Sequence, residues 1–162
     1  MTTDGFTIAA VASPDDLEAA RGLFRAYAAS LPVDLAYQDF ATELATLPGK
    51  YGPPAGALLL ARDRNGVAFG CVGLRPLADG CCEMKRLYVD SAARGLGLGR
   101  ALMQAVVAEA EHLGYAEIRL DTLPTMRAAI AMYHAAGFVP VAPYYDTAPA
   151  GTLFLGRRLK DR

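Results

Sequence analysis

Three glycines at alternate positions open a helix-like stretch in the second half of the sequence, in the run Arg94-Gly95-Leu96-Gly97-Leu98-Gly99-Arg100. Glycine lacks a side chain, so the backbone N–H groups of such a loop can approach an anion closely. A helix that begins directly behind the loop adds unpaired N–H donors and the positive end of its dipole. The run therefore predicts a strand–loop–helix unit that binds a phosphate group, with Arg94 and Arg100 adding charge at its rim.

The spacing of the glycines and the identity of their neighbours distinguish a phosphate-binding loop from other glycine motifs. The dinucleotide fingerprint is G-x-G-x-x-G in a parallel βαβ unit, and here Arg100 occupies the place of its last glycine. A Walker loop requires G-K-[ST], which the chain lacks. A tight turn without a ligand requires fewer glycines and no flanking arginines. A nucleotide or dinucleotide is kept as an alternative ligand.

Length and composition favour one domain that does not bind polyanions by bulk charge. The chain has 162 residues, of which 53% are hydrophobic and 20% charged, and its net charge is -1. This is enough apolar material for a core, so we expect a single domain over residues 1–162. Binding of nucleic acid or an anionic membrane by bulk charge requires a basic excess, which the sequence lacks.

The sequence predicts neither a targeting signal nor a metal site. Its longest apolar runs, residues 55–61 and 67–74, are much shorter than the roughly 20 residues that span a membrane. The first four residues lack the basic and apolar regions of a secretory signal, so we expect a cytoplasmic protein. The cysteines lack metal-binding spacing and are expected to be reduced thiols in strands, at Cys71, Cys81 and Cys82.

The first half of the chain predicts a strand, two helices and a three-stranded meander. Residues 6–11 are predicted to form a strand, and Ser13-Pro14 begins a helix that ends at Leu31-Pro32. A second, shorter helix is marked by apolar positions at Tyr37, Phe40, Leu44 and Leu47. Three strands follow, joined by turns at 64–66 and 78–80, and they cover residues 57–63, 67–77 and 81–89.

The second half predicts helices that alternate with strands. A helix over residues 97–113 precedes a strand at 117–122, a helix at 126–136 and short strands at 138–141 and 152–159. The order is β-α-α-β-β-β-α-β-α-β-β, which predicts the α+β class. We expect a mixed, mostly antiparallel sheet of six to seven strands flanked by about four helices. One parallel crossover is expected, from strand 81–89 to strand 117–122.

Two motifs resemble those of the GNAT superfamily of acetyl-CoA-dependent N-acetyltransferases. The run LYVDSAARGLGLG, residues 87–99, is similar to the family's acyl-CoA loop L-x-V-x-P-x-x-[RQ]-x-x-G-x-[GA], with Ser91 where proline is common. The run AIAMYHAAGF, residues 129–138, is similar to its helix motif A-x-x-[LF]-Y-x-x-x-G-F. The family often has asparagine three residues before that alanine, and this chain has Met126. The element order matches the family along nearly the whole chain.

The resemblance implies that acetyl-CoA is the co-substrate and that no metal is needed. Its pyrophosphate is expected on the N–H groups of residues 95–100, and its pantetheine arm along strand 81–89, which splays from strand 117–122 in this fold. A backbone N–H of residues 87–89 is expected to stabilise the oxyanion. The implied cofactor-binding residues are Leu87, Tyr88, Val89, Arg94, Gly95, Leu96, Gly97, Leu98, Gly99 and Arg100.

Two side chains are candidates for the proton transfers of acetyl transfer. An amine with a pKa near 10.4 is neutral in roughly one molecule in a thousand at pH 7, so a base assists attack. Glu83 matches a position at which some family members carry a glutamate base; the alternative is an exposed carboxylate or a partner of Lys85. Tyr133 matches a tyrosine that some members use to protonate the departing thiolate; the alternative is a core tyrosine.

Basic and aromatic residues suggest further contacts. Six basic residues could meet the phosphates of CoA, although each alone is expected to be a solvated charge: Lys85, Arg86, Arg94, Arg100, Arg119 and Arg127. The acceptor is expected opposite the cofactor, beside residues that form either an aromatic wall with one acid or part of the core: Tyr27, Tyr37, Phe40, Tyr144, Tyr145 and Asp146.

The sequence thus predicts an enzyme that transfers an acetyl group from acetyl-CoA to a primary amine of a small molecule or an amino-acid-like acceptor. We expect direct attack in a ternary complex, in a monomer or homodimer without nucleic-acid or membrane partners. The alternatives are a catalytically silent acyl-CoA-binding sensor and a protein-lysine or N-terminal acetyltransferase. The sensor would not need Tyr133 or Glu83.

Overall fold

The chain folds into one sheet with helices on both faces. The computed structural model describes residues 2–3 and 5–159, without the side chains of residues 2, 3 and 37, and these residues form eight strands and four α-helices. The strands are β1 (Thr2–Thr3), β2 (Phe6–Ala10), β3 (Ala57–Asp63), β4 (Ala68–Pro76), β5 (Cys81–Val89), β6 (Glu117–Thr122), β7 (Val139–Pro140) and β8 (Leu153–Arg158). The helices are α1 (Pro14–Ser30), α2 (Phe40–Ala45), α3 (Leu98–His112) and α4 (Arg127–Ala135).

The strand order places one parallel pair inside an otherwise antiparallel sheet. The order is β1-β2-β3-β4-β5-β6-β8-β7, and β5 with β6 is the parallel pair. The predicted α+β class and mixed sheet are therefore confirmed, with the two-residue β1 as an addition to the predicted strands. Strand β5 pairs with β6 only at residues 81–83, so the two strands diverge beyond Glu83. This divergence opens the sheet on the side where the chain continues to the glycine loop.

Local signals set the helix ends. The Ser13 hydroxyl accepts a hydrogen bond from the Asp16 N–H at 3.1 Å, and Pro14 is the first residue of α1. Gly114 follows α3 with a φ of 89°, the left-handed conformation that ends many helices. Each of these boundaries lies within one or two residues of its predicted place, because the signals are local.

The helix predicted from positions 37 to 47 is interrupted. A 3₁₀ helix at Leu35–Gln38 and helix α2 are separated by Asp39, whose φ is 55°. Aspartate tolerates this left-handed conformation because its short carboxylate bonds locally, here accepting a hydrogen bond from the Thr42 hydroxyl at 3.0 Å. Apolar spacing does not reveal such a break. The Tyr37 side chain, which that spacing assigns to the apolar face, lies outside the described residues.

Two hydrophobic clusters lie on opposite faces of the sheet. One packs α3 and α4 against the central strands, with fully buried residues that include Val72, Leu74, Leu102, Val106, Ile118, Leu120 and Phe138. The other packs α1 against β3 and β4, through Ala20, Phe24, Tyr51, Leu58, Leu60 and Cys71. The three cysteines are buried free thiols, as expected. The helices thus hold the sheet rigid on both sides of the opening between β5 and β6.

Candidate active site

The glycine loop has the backbone conformation that its sequence predicts. Gly95 and Gly97 have φ values of 90° and 73°, and Gly97 is the residue before the first turn of α3. An added Cβ atom at either glycine would meet no protein atom within 4 Å. Packing therefore does not require these glycines. The positive φ values require glycine at both positions, and the missing side chains leave free space above the loop.

The first turn of α3 offers its N–H groups to a ligand. Gly97 has no side chain to cap the helix, and the first turn of α3 contains no acidic residue. Arg94, whose Nε donates to the Val89 carbonyl oxygen at 3.2 Å, lies beside the loop. Unsatisfied N–H donors, the positive end of the helix dipole and adjacent arginines together favour an anion at this place.

A groove of about 490 Å³ runs along the loop and the end of β5. Of the ten predicted cofactor-binding residues, nine line it, and Leu96, which is 56% exposed, does not. Further lining residues come from α1 and α4: Tyr27, Ser30, Met126, Ala128, Ala129, Met132 and Tyr133. The predicted residues, which are contiguous in sequence, are thus joined in the groove by two helices that are distant in sequence.

A β-bulge shapes the strand that borders the groove. Arg86 of β5 has a φ of 61°, and the pairing of β5 with β4 shifts register between Cys71 and Gly73. The Arg86 guanidinium is buried and makes two hydrogen bonds to the Glu43 carboxylate, at 2.8 and 2.9 Å. It also lies over the rings of Tyr27 and Phe40, at 5.8 and 5.1 Å. These contacts fix the backbone that leads into residues 87–89.

A narrow cleft of about 40 Å³ lies in the opening between β5 and β6. The ends of β5 and β6 form one wall, and the segment after α1 forms another, with Leu31, Val33 and Leu35. The cleft and the cofactor groove share four lining residues, which are Tyr27, Leu87, Met126 and Tyr133. The two cavities therefore adjoin each other at these four residues.

Tyr133 lies at this junction. The residue belongs to α4, is only 6% exposed and packs its ring on Phe138, with 5.8 Å between the ring centres. Burial raises the pKa of the Tyr133 phenol above its ordinary value, and the nearby Tyr27 and Asp121 act in the same direction. The phenol is therefore protonated at neutral pH, and the same shift makes it a weaker acid than an exposed tyrosine.

Glu83 lies behind the wall of the cleft. Its side chain is fully buried, so the alternative of an exposed carboxylate is wrong, whereas the pairing with Lys85 is present at 3.8 Å. One oxygen accepts a hydrogen bond from Arg75 Nε at 2.9 Å, and the other accepts one from the Tyr144 hydroxyl at 2.7 Å. Both oxygens are thus engaged, and Glu83 is not among the residues that line the cleft.

Asp121 and Lys85 are the ionisable side chains of this network that face the cleft. Lys85 Nζ lies 3.7 Å from Asp121 Oδ1, and the other oxygen of Asp121 accepts hydrogen bonds from the Tyr145 hydroxyl and from Gln38 Nε2. Burial lowers the pKa of Lys85, and the carboxylates of Glu83 and Asp121 oppose that shift. Sequence reasoning did not assign Asp121 to the site. The sequence feature that could have identified Asp121 is a charged residue in a strand whose neighbouring positions are buried.

The other predicted contacts are distributed around this network. The expectation of solvated charges is wrong for Lys85 and Arg86, because both are buried and ion-paired. Arg119 pairs with Glu117 at 2.8 Å, and Asp146 is exposed on the loop before β8. The rings of Tyr144 and Tyr145 pack edge-to-face with Phe154, with ring centres 5.1 and 5.2 Å from it, and neither residue lines the cleft. Tyr27 is the predicted aromatic that lines the cleft itself.

The described residues hold neither a cluster of metal ligands nor a helix suited to a membrane. Residues 2–3 and 5–159 contain no group of three or more His, Cys, Asp or Glu side chains arranged to hold a metal ion. Within the same part of the chain, no helix is long and apolar enough to cross a membrane.

Comparison with known proteins decides the family. The sequence profile of the acetyltransferase (GNAT) family matches residues 20–138, which include both motifs and the whole opening between β5 and β6. The chain belongs to the GNAT acetyltransferase family. The groove, the bulged strand and the diverging strand pair of this GNAT domain therefore occupy the part of the chain that defines the family.

Relatives and solved structures agree with this assignment. An uncharacterized N-acetyltransferase of Schizosaccharomyces pombe is 43% identical over 146 residues, which cover 90% of each chain. A GNAT-family acetyltransferase from Staphylococcus aureus shares the fold with a TM-score of 0.80 at 20% identity, over 96% of this chain and 99% of the other. A phosphinothricin acetyltransferase from Sinorhizobium meliloti, solved in complex with acetyl-CoA, has a TM-score of 0.71 at 20% identity, over 96% and 89%.

Proposed function

We propose that this GNAT protein transfers an acetyl group from acetyl-CoA to a primary amine of a small molecule, in a ternary complex. The observation that carries the proposal is the junction at Tyr133, where a groove suited to a phosphate-bearing cofactor meets a polar cleft. A sensor that only bound acyl-CoA would need the groove and not the cleft. The narrowness of the cleft favours a small acceptor over a folded protein surface.

The residues of the groove fit acetyl-CoA. The N–H groups of residues 95–100 would bind the pyrophosphate, and Arg94 and Arg100 would add charge beside it. The edge of β5 that β6 leaves unpaired, residues 87–89, would hydrogen-bond the pantetheine arm as an added strand does. Met126, where the family often has asparagine, contributes an apolar contact instead of an amide. When bound, acetyl-CoA supplies the acetyl group as a reactive thioester.

The side chains around the junction supply the proton transfers. Asp121 faces the cleft and accepts a proton from the acceptor's ammonium group, which leaves a neutral amine. The amine nitrogen then bonds to the acetyl carbon as the C–S bond breaks. Tyr133 gives its phenolic proton to the departing sulfur and regains one from the newly acylated nitrogen. The proton on Asp121 passes to solvent, so one proton is released for each acetyl group transferred.

In this proposal Glu83 acts indirectly, through Lys85. Its two oxygens already accept hydrogen bonds from Arg75 and Tyr144, so it is poorly placed to take the proton directly. It lies 3.8 Å from Lys85, which in turn lies 3.7 Å from Asp121. Glu83 therefore acts by holding Lys85, and through it the charge on Asp121. The backbone N–H groups of residues 87–89, fixed by the bulge at Arg86, would stabilise the oxyanion.

Two measurements test the proposal. Thermal melts with acetyl-CoA, NAD and ATP report the ligand of the groove, and we expect stabilisation by acetyl-CoA alone. Thiol release over a panel of small amines and lysine peptides reports turnover, and we expect release with small amines. Stabilisation without any release would favour the silent sensor, and release with peptides alone would favour a protein acetyltransferase. Stabilisation by NAD or ATP and not by acetyl-CoA would refute the proposal.

A further inference from the structure

One pair of opposite charges in the acceptor cleft is incompletely satisfied. Lys85 Nζ and Asp121 Oδ1 both face the cleft and lie 3.7 Å apart. This separation is an ion-pair distance, and it is too long for a hydrogen bond between ammonium and carboxylate. Each group therefore attracts the other and still has hydrogen-bonding capacity for a ligand placed between or beside them.

The remaining hydrogen-bonding capacity is clearest for the Lys85 ammonium group. Its side chain is 2% exposed, and its ammonium group has three N–H donors. Among the described residues, the nearest carboxylate oxygens are those of Asp121 at 3.7 Å and Glu83 at 3.8 Å, both outside hydrogen-bond distance. The two carboxylates compensate its charge at ion-pair distance without accepting a hydrogen bond from it. An ammonium of this kind at the wall of a cavity therefore points to a ligand that accepts hydrogen bonds.

The other charges around the cleft are already matched. The Glu83 carboxylate accepts hydrogen bonds from Arg75 and Tyr144, and the Arg86 guanidinium is held by Glu43. Lys85 and Asp121 form an ion pair with each other, and they are the two charges of this network that line the cleft without a hydrogen bond between them. The cleft presents one positive and one negative group, side by side, and is otherwise neutral.

Part of the cleft lining is apolar. It consists of Leu31, Val33 and Leu35, from the segment between α1 and α2. A ligand with an anionic group, an amino group and an apolar group close together therefore complements Lys85, Asp121 and this apolar part of the lining. The cleft has a volume of about 40 Å³, which suits a small charged head group.

We propose that the acceptor is an α-amino acid with an apolar side chain. Its carboxylate accepts hydrogen bonds from Lys85, its amino group points to Asp121 Oδ1, and its side chain packs on Leu31, Val33 and Leu35. The two charged groups of an α-amino acid are attached to the same carbon atom, which suits two protein charges 3.7 Å apart. This inference rests on the proposed acetyl transfer and narrows its acceptor.

Acetylation itself favours release of such a product. The amide nitrogen of an N-acetyl amino acid carries no charge, so its attraction to Asp121 is lost when the reaction is complete. The carboxylate remains paired with Lys85, which holds the product less strongly than two charged contacts hold the substrate. The same pair that binds the acceptor thus distinguishes it from the product.

The first test compares amino acids with their decarboxylated counterparts on the unaltered protein. Thiol release is measured at saturating acetyl-CoA with L-leucine and 3-methylbutylamine, and with L-methionine and 3-(methylsulfanyl)propylamine. A charge-assisted hydrogen bond to a buried ammonium predicts a kcat/KM about 10- to 100-fold higher for each amino acid. Equal or better use of the decarboxylated amines would overturn the amino-acid inference and leave acetyl transfer standing.

A second test assigns the preference to Lys85. In Lys85→Met, the ratio of kcat/KM for leucine to that for 3-methylbutylamine is expected to fall by at least about tenfold. Lys50→Met, at an exposed lysine, is the matched control and should leave the ratio unchanged. An unchanged ratio in folded Lys85→Met would contradict the proposed carboxylate contact. If Lys85→Met does not fold, the comparison on the unaltered protein decides.

A failure of the broader proposal has a different signature. If acetyl-CoA stabilises the protein but neither the amino acids nor the amines release thiol, acetyl transfer to small amines is refuted. The amino-acid inference then fails with it. Selective release with amino acids supports both.

Discussion

Tyr133 lines both cavities, the cofactor groove and the cleft. Tyr133→Phe removes the hydroxyl and keeps the ring that packs on Phe138. We expect kcat to fall roughly 100-fold or more, because general acid catalysis contributes about that much. The Kd of acetyl-CoA, measured by calorimetry, should change less than about twofold, since the hydroxyl is not a predicted phosphate or pantetheine ligand.

Tyr115→Phe is the matched control for this substitution. Tyr115 is a tyrosine whose hydroxyl donates a hydrogen bond to the Ala55 carbonyl oxygen, and it lines neither cavity. Its removal should leave kcat unchanged. An unchanged kcat in Tyr133→Phe would make Tyr133 a packing residue only.

Single residues also show where prediction from sequence stops. The glycines of the loop could be assigned because their neighbours in the chain, a strand before and a helix after, define their role. Asp121 could not be assigned, because its role comes from Lys85 on another strand. Their proximity depends on the parallel register of β5 and β6, which joins Glu83 to Arg119 and then ends. No local pattern contains that register.

Among the structural elements, the loop before α3 is the one most specifically suited to binding a ligand. Gly97→Val places a side chain above the N–H groups and forces valine to a φ of 73°. Left-handed backbone costs a residue with a Cβ about 1–2 kcal/mol, which a folded domain of this size tolerates. We expect the Kd of acetyl-CoA to rise at least about tenfold, measured by calorimetry, because the side chain blocks the pyrophosphate.

The β3–β4 turn provides the control for backbone strain. Gly66 has a φ of 82° and, like Gly97, would have no protein atom within 4 Å of an added Cβ. Gly66→Val should therefore lose similar stability and bind acetyl-CoA normally. Equal affinities in the two variants would refute the role of the loop in binding.

The bulge on β5 is held by a buried ion pair that links it to α2. Glu43→Gln leaves the Arg86 guanidinium, which is 3% exposed, without its counter-charge. We expect the free energy of unfolding in urea to fall by about 3–5 kcal/mol, the usual cost of removing one partner of a buried pair. Glu18→Gln removes the exposed pair with Arg21 and should cost less than about 1 kcal/mol. Equal costs in the two variants would show that the bulge is stable without Glu43.

The break between the 3₁₀ helix and α2 explains why this clamp was not predicted. The apolar spacing from position 37 to 47 is compatible with one continuous helix, and Asp39 interrupts it with a left-handed backbone. The break leaves α2 as a separate short helix, and its Glu43 reaches Arg86, 43 residues away in sequence. Element types were predictable because periodicity is local, whereas the angle between two short helices depends on one φ value.

Across the whole molecule, buried phenols and thiols make the fold sensitive to alkali. Burial raises the pKa of Tyr51, Tyr133 and Tyr144 above the ordinary value of 10.0, and it raises the pKa of Cys71 and Cys82 to about 12. Above about pH 9 to 10 the unfolded chain releases these protons while the folded protein keeps them. Stability is therefore complete at lower pH and falls as the pH rises through this range.

Lys85 has the opposite effect on the pH dependence of stability. Its pKa is lowered in the fold, so between that lowered value and 10.5 the unfolded chain binds the additional proton, and stability rises with pH in that window. One lysine opposes these five groups together with Cys81 and Tyr115, whose pKa values burial also raises. The net expectation is a melting temperature that decreases between about pH 9 and 11.

Tyr51→Phe isolates one contribution to this decrease. The substitution removes a titrating group and keeps the ring that packs edge-to-face on Phe24, with ring centres 5.8 Å apart. Each proton released only on unfolding contributes a slope of about 1.4 kcal/mol per pH unit. The stability of Tyr51→Phe, measured in urea between pH 10 and 11, should therefore fall less steeply than that of the unaltered protein by up to this amount.

Phe24→Leu disturbs the same cluster without removing a titrating group, so it should lower stability at every pH and leave the slope unchanged. Identical slopes in Tyr51→Phe and the unaltered protein would show that the Tyr51 phenol ionises as readily in the fold as in the unfolded chain.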